Sequence, residues 1–283
     1  FSGRALTILA RTYPEKRKST PKAEREFLEE LRKIIPQHCR PVLVTDAGFL
    51  SKWMASVRAL GWHYVCRVRQ RRLYVYLGGR CMKLVEVYGL AKRKPRDLGT
   101  AVFGKATRRV DRAILSARPK SKGRQRLSLN GKSRATGVAI RCIGQNRDPL
   151  LLVTSLADSA RVIVALYKLR MQIEQSFRDK KSYRYGWSSR LVRSKNPRRI
   201  DVLFLIAALA MVAMHFIGLA IRDSDLARSF QTNTERTRAV FSTFFLARLL
   251  LNYAHAVEPT LQLLRKAAKD LAGQLPSVER ISA

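Results

Sequence analysis

Residues 41–68, PVLVTDAGFLSKWMASVRALGWHYVCRV, decide the fold. After Pro41 a short apolar run, Val42, Leu43 and Val44, ends in Asp46 and a turn at Gly48. A run of this length and flanking reads as a buried parallel strand with Asp46 at its carboxyl end. Trp53, Met54, Val57 and Leu60 then recur at helical spacing, and 62–68 (WHYVCRV) read as a second strand. Residues 42–68 therefore form a β-α-β unit. Reactive groups in open α/β sheets gather at the carboxyl ends of strands, which makes Asp46 the first candidate residue.

Upstream of this unit, 5–11 (ALTILAR) read as extended. Thr20 and Pro21 then form an N-cap and first-turn pair for a helix that Pro36 ends. Phe27, Leu28, Leu31, Ile34 and Ile35 make its apolar stripe. Downstream, 69–156 alternate short β-type runs (73–77, 83–88, 137–143 and 150–154) with Gly-, Pro- and Lys/Arg-rich turns, the texture of a β-rich insertion. A helix follows at 158–181, capped by Asp158 or Ser159. The next stretch, 202–221, has one polar side chain, His215, in twenty residues. That meets the length rule for a membrane span, but its Ala- and Met-rich composition favours a helix buried on all sides in a core.

The 283 residues hold 56 Lys and Arg against 20 Asp and Glu, a formal charge of +36, with 46% apolar residues. The apolar share excludes a disordered basic tail, and the charge calls for a polyanionic partner. Nucleic acid comes first, because cations that neutralise phosphates release condensed counterions in any sequence context. Basic runs at 67–72, 92–96, 105–112 and 118–126 meet few acids and are expected on phosphates. The four cysteines have no metal-ligand spacing and no dense disulfide pattern, which fits a reducing cytoplasm. The chain opens on Phe1, with no signal peptide, and reads as a fragment whose N-terminal part is absent.

Tyr167, Arg170, Glu174 and Lys181 sit at offsets that place them on one stripe of a continuous helix over 158–181. One carboxylate flanked by two cations and a phenol suits a phosphodiester site: the anion for a metal, the cations for phosphates. A solvated face, with Arg170 merely pairing Glu174, gives the same pattern. The spacing Y-x2-R-x3-E-x6-K resembles the signature of the bacterial insertion-sequence transposases of the IS-four family. VTDAGF (44–49), LGWHYVCRVR (60–69), KLRMQIEQSFRDKKS (168–182) and FQTNT (230–234) resemble that family too, closest to its branch typified by transposon Tn-ten.

The resemblance implies an α/β fold: an RNase H-like core interrupted by the β-rich insertion and followed by an α-helical C-terminal region. On that reading 1–68 are the first part of the core, without its first strand. Residues 69–156 are then the insertion, 157–222 the second part of the core with the catalytic Glu helix, and 223–283 the helical end. It implies an Asp-Asp-Glu triad in which Asp46 matches the second Asp and Glu174 the Glu. These carboxylates would hold two magnesium or manganese ions. Tyr167, Arg170 and Lys181 would contact DNA. The implied activity is cut-and-paste transposition by a homodimer on double-stranded transposon ends and target DNA, in the bacterial cytoplasm at the nucleoid, with no membrane.

Two departures stand out. No Asp precedes Asp46, so the first triad Asp is missing from these residues. The family also places a Trp before the Glu helix to hold a base out of the stack, and here Leu150 takes that position, with Trp187 as a possible substitute. Two other function classes stay open: a non-catalytic DNA-binding remnant that inhibits the intact enzyme, and a basic protein anchored in a membrane by 202–221.

Overall fold

The computed structural model describes residues 4–17, 20–49, 51–69, 73–103, 109–116, 125–127, 133–135, 148–181, 194, 196–222, 226–231, 240–252, 261–262 and 265. The chain is mixed α/β and divides into two compact units, Tyr13–Met171 and Phe1–Thr12 with Gln172–Ala283.

The first unit starts with α1 (Pro21–Ile34), entered as the sequence indicates: the Thr20 hydroxyl accepts the Ala23 N–H at 3.3 Å, and Pro21 fills the first turn. Leu28 and Leu31 are buried, whereas Ile34 is half exposed. Next, β1 (Val42–Thr45), α2 (Ser51–Ala59) and β2 (His63–Val68) form the expected parallel β-α-β unit, with Val42 opposite His63 and Thr45 opposite Cys66. Trp53, Met54 and Val57 are the buried face of α2. Gly61, at φ 72°, closes the helix: its N–H reaches the Arg58 carbonyl at 2.8 Å and the Trp62 N–H reaches Val57 at 3.2 Å. A residue with a Cβ would strain that left-handed corner.

The stretch read as an insertion supplies β3 (Tyr74–Leu77), β4 (Arg80–Lys83), α3 (Leu84–Gly89), β5 (Arg96–Phe103), β6 (Arg109–Ser116), β7 (Gln125–Leu127), β8 (Ser133–Ala135) and β9 (Leu150–Thr154). Seven strands form one sheet in the order β1-β2-β9-β6-β5-β3-β4, and a second sheet pairs β7 with β8. Within 69–156, β3 to β6 and β9 thus continue the sheet of the β-α-β unit. Beyond the parallel β1/β2 pair, every contact in that sheet is antiparallel. β9, apolar from Leu150 to Val153, is buried along its whole length between β2 and β6. β1 lies at the edge and is half buried up to Thr45, so the expectation of a buried strand is corrected.

The run 83–88, read as a strand, is helical from Leu84. The Glu86 carboxylate accepts the Lys83 N–H at 3.0 Å, tying down the start of the helix. The run 137–143 lies outside the described residues. A helix α4 (Ala160–Leu169), capped by the Ser159 hydroxyl, covers β1, β2 and β6. Its Ile163, Val164 and Tyr167 close a core with Val65, Ile114, Leu150 and Leu152.

The helix expected to run unbroken over 158–181 does not. The Arg170 N–H bonds to the Tyr167 carbonyl at 3.1 Å, a tightened i to i−3 turn, and a separate α5 (Met171–Lys181) starts after it.

In the second unit, 4–12 form neither helix nor strand and bend at Ile8, unlike the strand expected at 5–11. They run along α5. The Ser176 hydroxyl accepts the Ala5 N–H at 3.0 Å, the Lys180 amine donates to the Thr7 hydroxyl at 3.0 Å, and Arg4 pairs with Asp179. Burial lowers the Lys180 pKa, and the Phe177 and Phe204 rings lie within 5.8 Å of its amine.

Then follow α6 (Pro197–Arg222), α7 (Leu226–Ser229) and α8 (Thr243–Leu251). Ile217 and Ile221 of α6 pack against Leu246, Ala247 and Leu250 of α8. His215 is buried with its Nδ1 3.3 Å from the Thr243 hydroxyl. Burial, aided by nearby positive charge, takes its pKa down to about 4, so the ring is neutral at physiological pH. α6 is long and apolar enough to cross a membrane, and its apolar window is 22% buried. Val202, Leu203, Leu205, Ile206 and Leu209 are exposed, so the expectation of a helix buried on all sides is corrected. A helix apolar all round announces no single inward face, and here only one side finds partners among the described residues.

Candidate active site

Asp46 is exposed, just past the carboxyl end of β1. Its Oδ1 accepts the Gly48 N–H at 2.9 Å, an Asx turn that holds the carboxylate over the first turn of the crossover. A Cβ at residue 48 would stand 3.1 Å from that oxygen, so glycine leaves the approach open. Two contacts brace the turn: the Thr45 hydroxyl reaches the Cys66 sulfur at 2.9 Å, and the Phe49 ring lies 4.9 Å from Trp53 of α2.

One register step beyond Thr45 and Cys66 comes Arg67, at the end of β2. Its Nε is buried and makes no hydrogen bond to a described residue. The sequence reading counted Arg67 only as one member of a basic run. The β1/β2 register places it one residue past the Thr45–Cys66 pair on β2.

The signature residues fall in two places. Tyr167, on α4, is buried in the core cluster, its hydroxyl makes no hydrogen bond to a described residue, and the Arg170 guanidinium sits 5.7 Å from its ring centre. Glu174 is exposed on α5 in the second unit, and Lys181 lies two turns further along the same helix. The single stripe through all four residues presumed an unbroken helix, and the turn at Arg170 removes that premise. Trp187 lies outside the described residues. Leu150 is buried in the core cluster, packed under Tyr167.

Sequence reasoning missed a buried polar cluster in the first unit. Asp111 of β6, its side chain wholly buried, accepts hydrogen bonds from the Tyr64 hydroxyl and from Arg58 of α2. Arg58 also donates to the Tyr64 hydroxyl at 2.7 Å. On the neighbouring residue, Arg112 pairs with Asp97 and donates to the Leu156 and Asp158 carbonyls, the first of these at 3.0 Å. Successive residues of β6 thus tie down α2, which follows the Asp46 turn, and the entry to α4. Arg112, expected on phosphate, is engaged inside the protein, because counting charge along a chain cannot see pairing across strands.

Arg58→Ala should cost about 2–3 kcal/mol by urea denaturation. That is less than the roughly 3–5 of a fully buried pair, because the Arg58 side chain is 40% exposed and water screens it.

Asp46 and Glu174 offer hard oxygen donors of the kind magnesium and manganese take. No three metal-ligating residues cluster among the described residues. The donor chemistry of each carboxylate suits a divalent ion.

A mixed α/β unit with a carboxylate at the end of a parallel strand, in a strongly basic chain, suits an enzyme acting on nucleic acid. The chain matches the family described as "Transposase DDE domain" over residues 3–211, about three quarters of its length, and belongs to that family. It is a transposase, and its substrate is DNA. Domains of this family generally depend on divalent metal. No curated protein matches it.

Proposed function

We propose that this transposase is of the IS-four type, closest to the branch of transposon Tn-ten, and serves cut-and-paste transposition as a homodimer on double-stranded element ends and target DNA. The observation that carries the reading is Asp46: an exposed carboxylate fixed by Gly48 at the end of a parallel strand, with Arg67 one register step away. Asp46 acts as the second triad acid and Glu174 as the third, the two holding magnesium or manganese. A bound ion of this kind activates an attacking oxygen and offsets charge on the phosphoryl group. Asp46 presents its carboxylate in one orientation because the Gly48 amide and the Phe49–Trp53 contact fix the turn. Arg170 and Lys181 hold phosphates, with Arg170 set against the Tyr167 ring.

No Asp precedes Asp46 in these residues, which keeps an inhibitory DNA-binding remnant as the second reading. The family match runs to residue 211, into α6, which supports a domain helix there, a protein outside membranes and action at the nucleoid in the cytoplasm.

Duplex affinity should fall steeply with salt, log K dropping by about 0.9 for each phosphate neutralised, and Lys181→Ala should make that slope about 0.9 shallower. Affinity that ignores salt would overturn the reading.

A further inference from the structure

Between Val202 and Ile221 the chain carries no Lys, Arg, Asp or Glu, in a molecule of net charge +36. On α6 in the second unit Val202, Ile206, Leu209 and Ala213 are all exposed, and so is Leu205 beside them. Steps of four, three and four residues bring the first four onto one seam of the helix, the spacing by which two helices interlock. The opposite face is already in use, with Ala208, Met211, His215 and Gly218 buried. Ile8 lines one groove with Val202 and Leu205 and widens the apolar strip. Ile8, Val202, Leu205, Ile206 and Leu209 are each more than half exposed. Together such side chains offer on the order of 500 Å² of apolar surface, so two copies would bury roughly 1,000 Å², the size at which a specific interface begins.

The charge distribution selects the occupant. An acidic partner is drawn to cations, and the strip has none. Two chains of +36 repel wherever their cations meet, and the strip is where they can approach without that repulsion. From this exposed, uncharged seam we infer that the strip is the contact between two copies of the chain, their α6 helices packed antiparallel about a twofold axis. Such an axis makes the contact reciprocal. Ile206 of one copy then meets Leu209 of the other, and Val202 meets Ala213, large against small. Antiparallel packing also separates Arg198 and Arg199, exposed ahead of the seam, from their counterparts, whereas a parallel pair would set these like charges together. The inference rests on the proposed homodimer and gives it a surface that forms without DNA.

Sedimentation of the 283-residue chain without DNA, at about 50 μM, should show a dimer. Raising salt from about 0.1 to about 0.5 M should strengthen it, because screening removes repulsion between the copies, whereas duplex binding weakens over the same range. Leu209→Asp should raise the dimer dissociation constant about 100-fold or more, since each dimer would then bury two carboxylates. Its circular dichroism should match the wild type, because Leu209 is 63% exposed. Ile206→Arg should act in the same way. Mixing the two variants should restore a dimer that neither forms alone, the new cation of one meeting the new carboxylate of the other.

A wild-type chain that stays monomeric, or variants that dimerise as it does, overturns the inference. Unfolding of both variants also overturns it, because a segment of the same chain would then occupy the strip. Monomeric variants that mixing does not rescue contradict the antiparallel contact. A monomeric wild type that sediments with anionic lipid vesicles, while Leu209→Asp does not, assigns the strip to a membrane instead. The DNA reading is judged separately: steep salt-dependent duplex binding by Leu209→Asp upholds it whatever the oligomeric state, and its loss in the wild type sinks it.

Discussion

Gly218→Ala is expected to destabilise the second unit by about 3 kcal/mol or more, at or beyond the upper end for overpacking. A Cβ on Gly218 would meet the Thr243 carbonyl oxygen at 1.9 Å, its carbon at 2.4 Å and its Cα at 2.8 Å. All three are backbone atoms, so no side chain can rotate away, and α6 and α8 must separate. Separation also breaks the His215–Thr243 contact and opens the apolar cluster around Ile217 and Leu246. A protein melting at the wild-type temperature would show that the helices do not approach this closely.

The second large effect is chemical. In a polypeptide that supplies an acid ahead of Asp46, Asp46→Asn and Glu174→Gln should each reduce metal-dependent strand cleavage by 10³-fold or more, on the order of 4 kcal/mol of barrier. Each removes a metal ligand and leaves the cations in place. Duplex binding in a chelator should therefore change little. If either variant kept cleavage within tenfold of wild type, that carboxylate would not be a metal ligand.

The sequence made the β-α-β unit legible because its signals are local: an apolar strand, a carboxylate and glycine at its end, and helical spacing from Trp53 to Leu60. The caps at Thr20 and Ser159 were legible for the same reason, since each side chain bonds to an amide three residues on. What escaped depends on pairing across distance. Lys83 and Glu86 turned a strand-like run into α3 through a contact that composition does not record. The turn at Arg170 contains neither Pro nor Gly, and the stripe drawn through it joined residues of two separate units. Asp111 drew no notice between basic neighbours until the sheet register set it against Tyr64 and Arg58.

α6 shows the limit of hydropathy as a guide. A twenty-residue run with one polar side chain says that burial is favourable, and only packing shows that His215, Gly218 and Ile221 face inward while Leu209 does not. The segment 5–11 is similar. Its residues favour a strand, yet in the second unit they are held by Ser176, Asp179 and Lys180.

The most direct test of the central claim incubates the 283-residue chain with duplex DNA carrying element ends, with and without magnesium or manganese, and scores binding and strand cleavage together. The predicted result is salt-sensitive binding, with any strand cleavage dependent on the metal and lost in Asp46→Asn and in Glu174→Gln. Metal-dependent cleavage at the element ends by these 283 residues alone, persisting in Asp46→Asn, would contradict the assignment of Asp46 and Glu174 as two of three metal ligands.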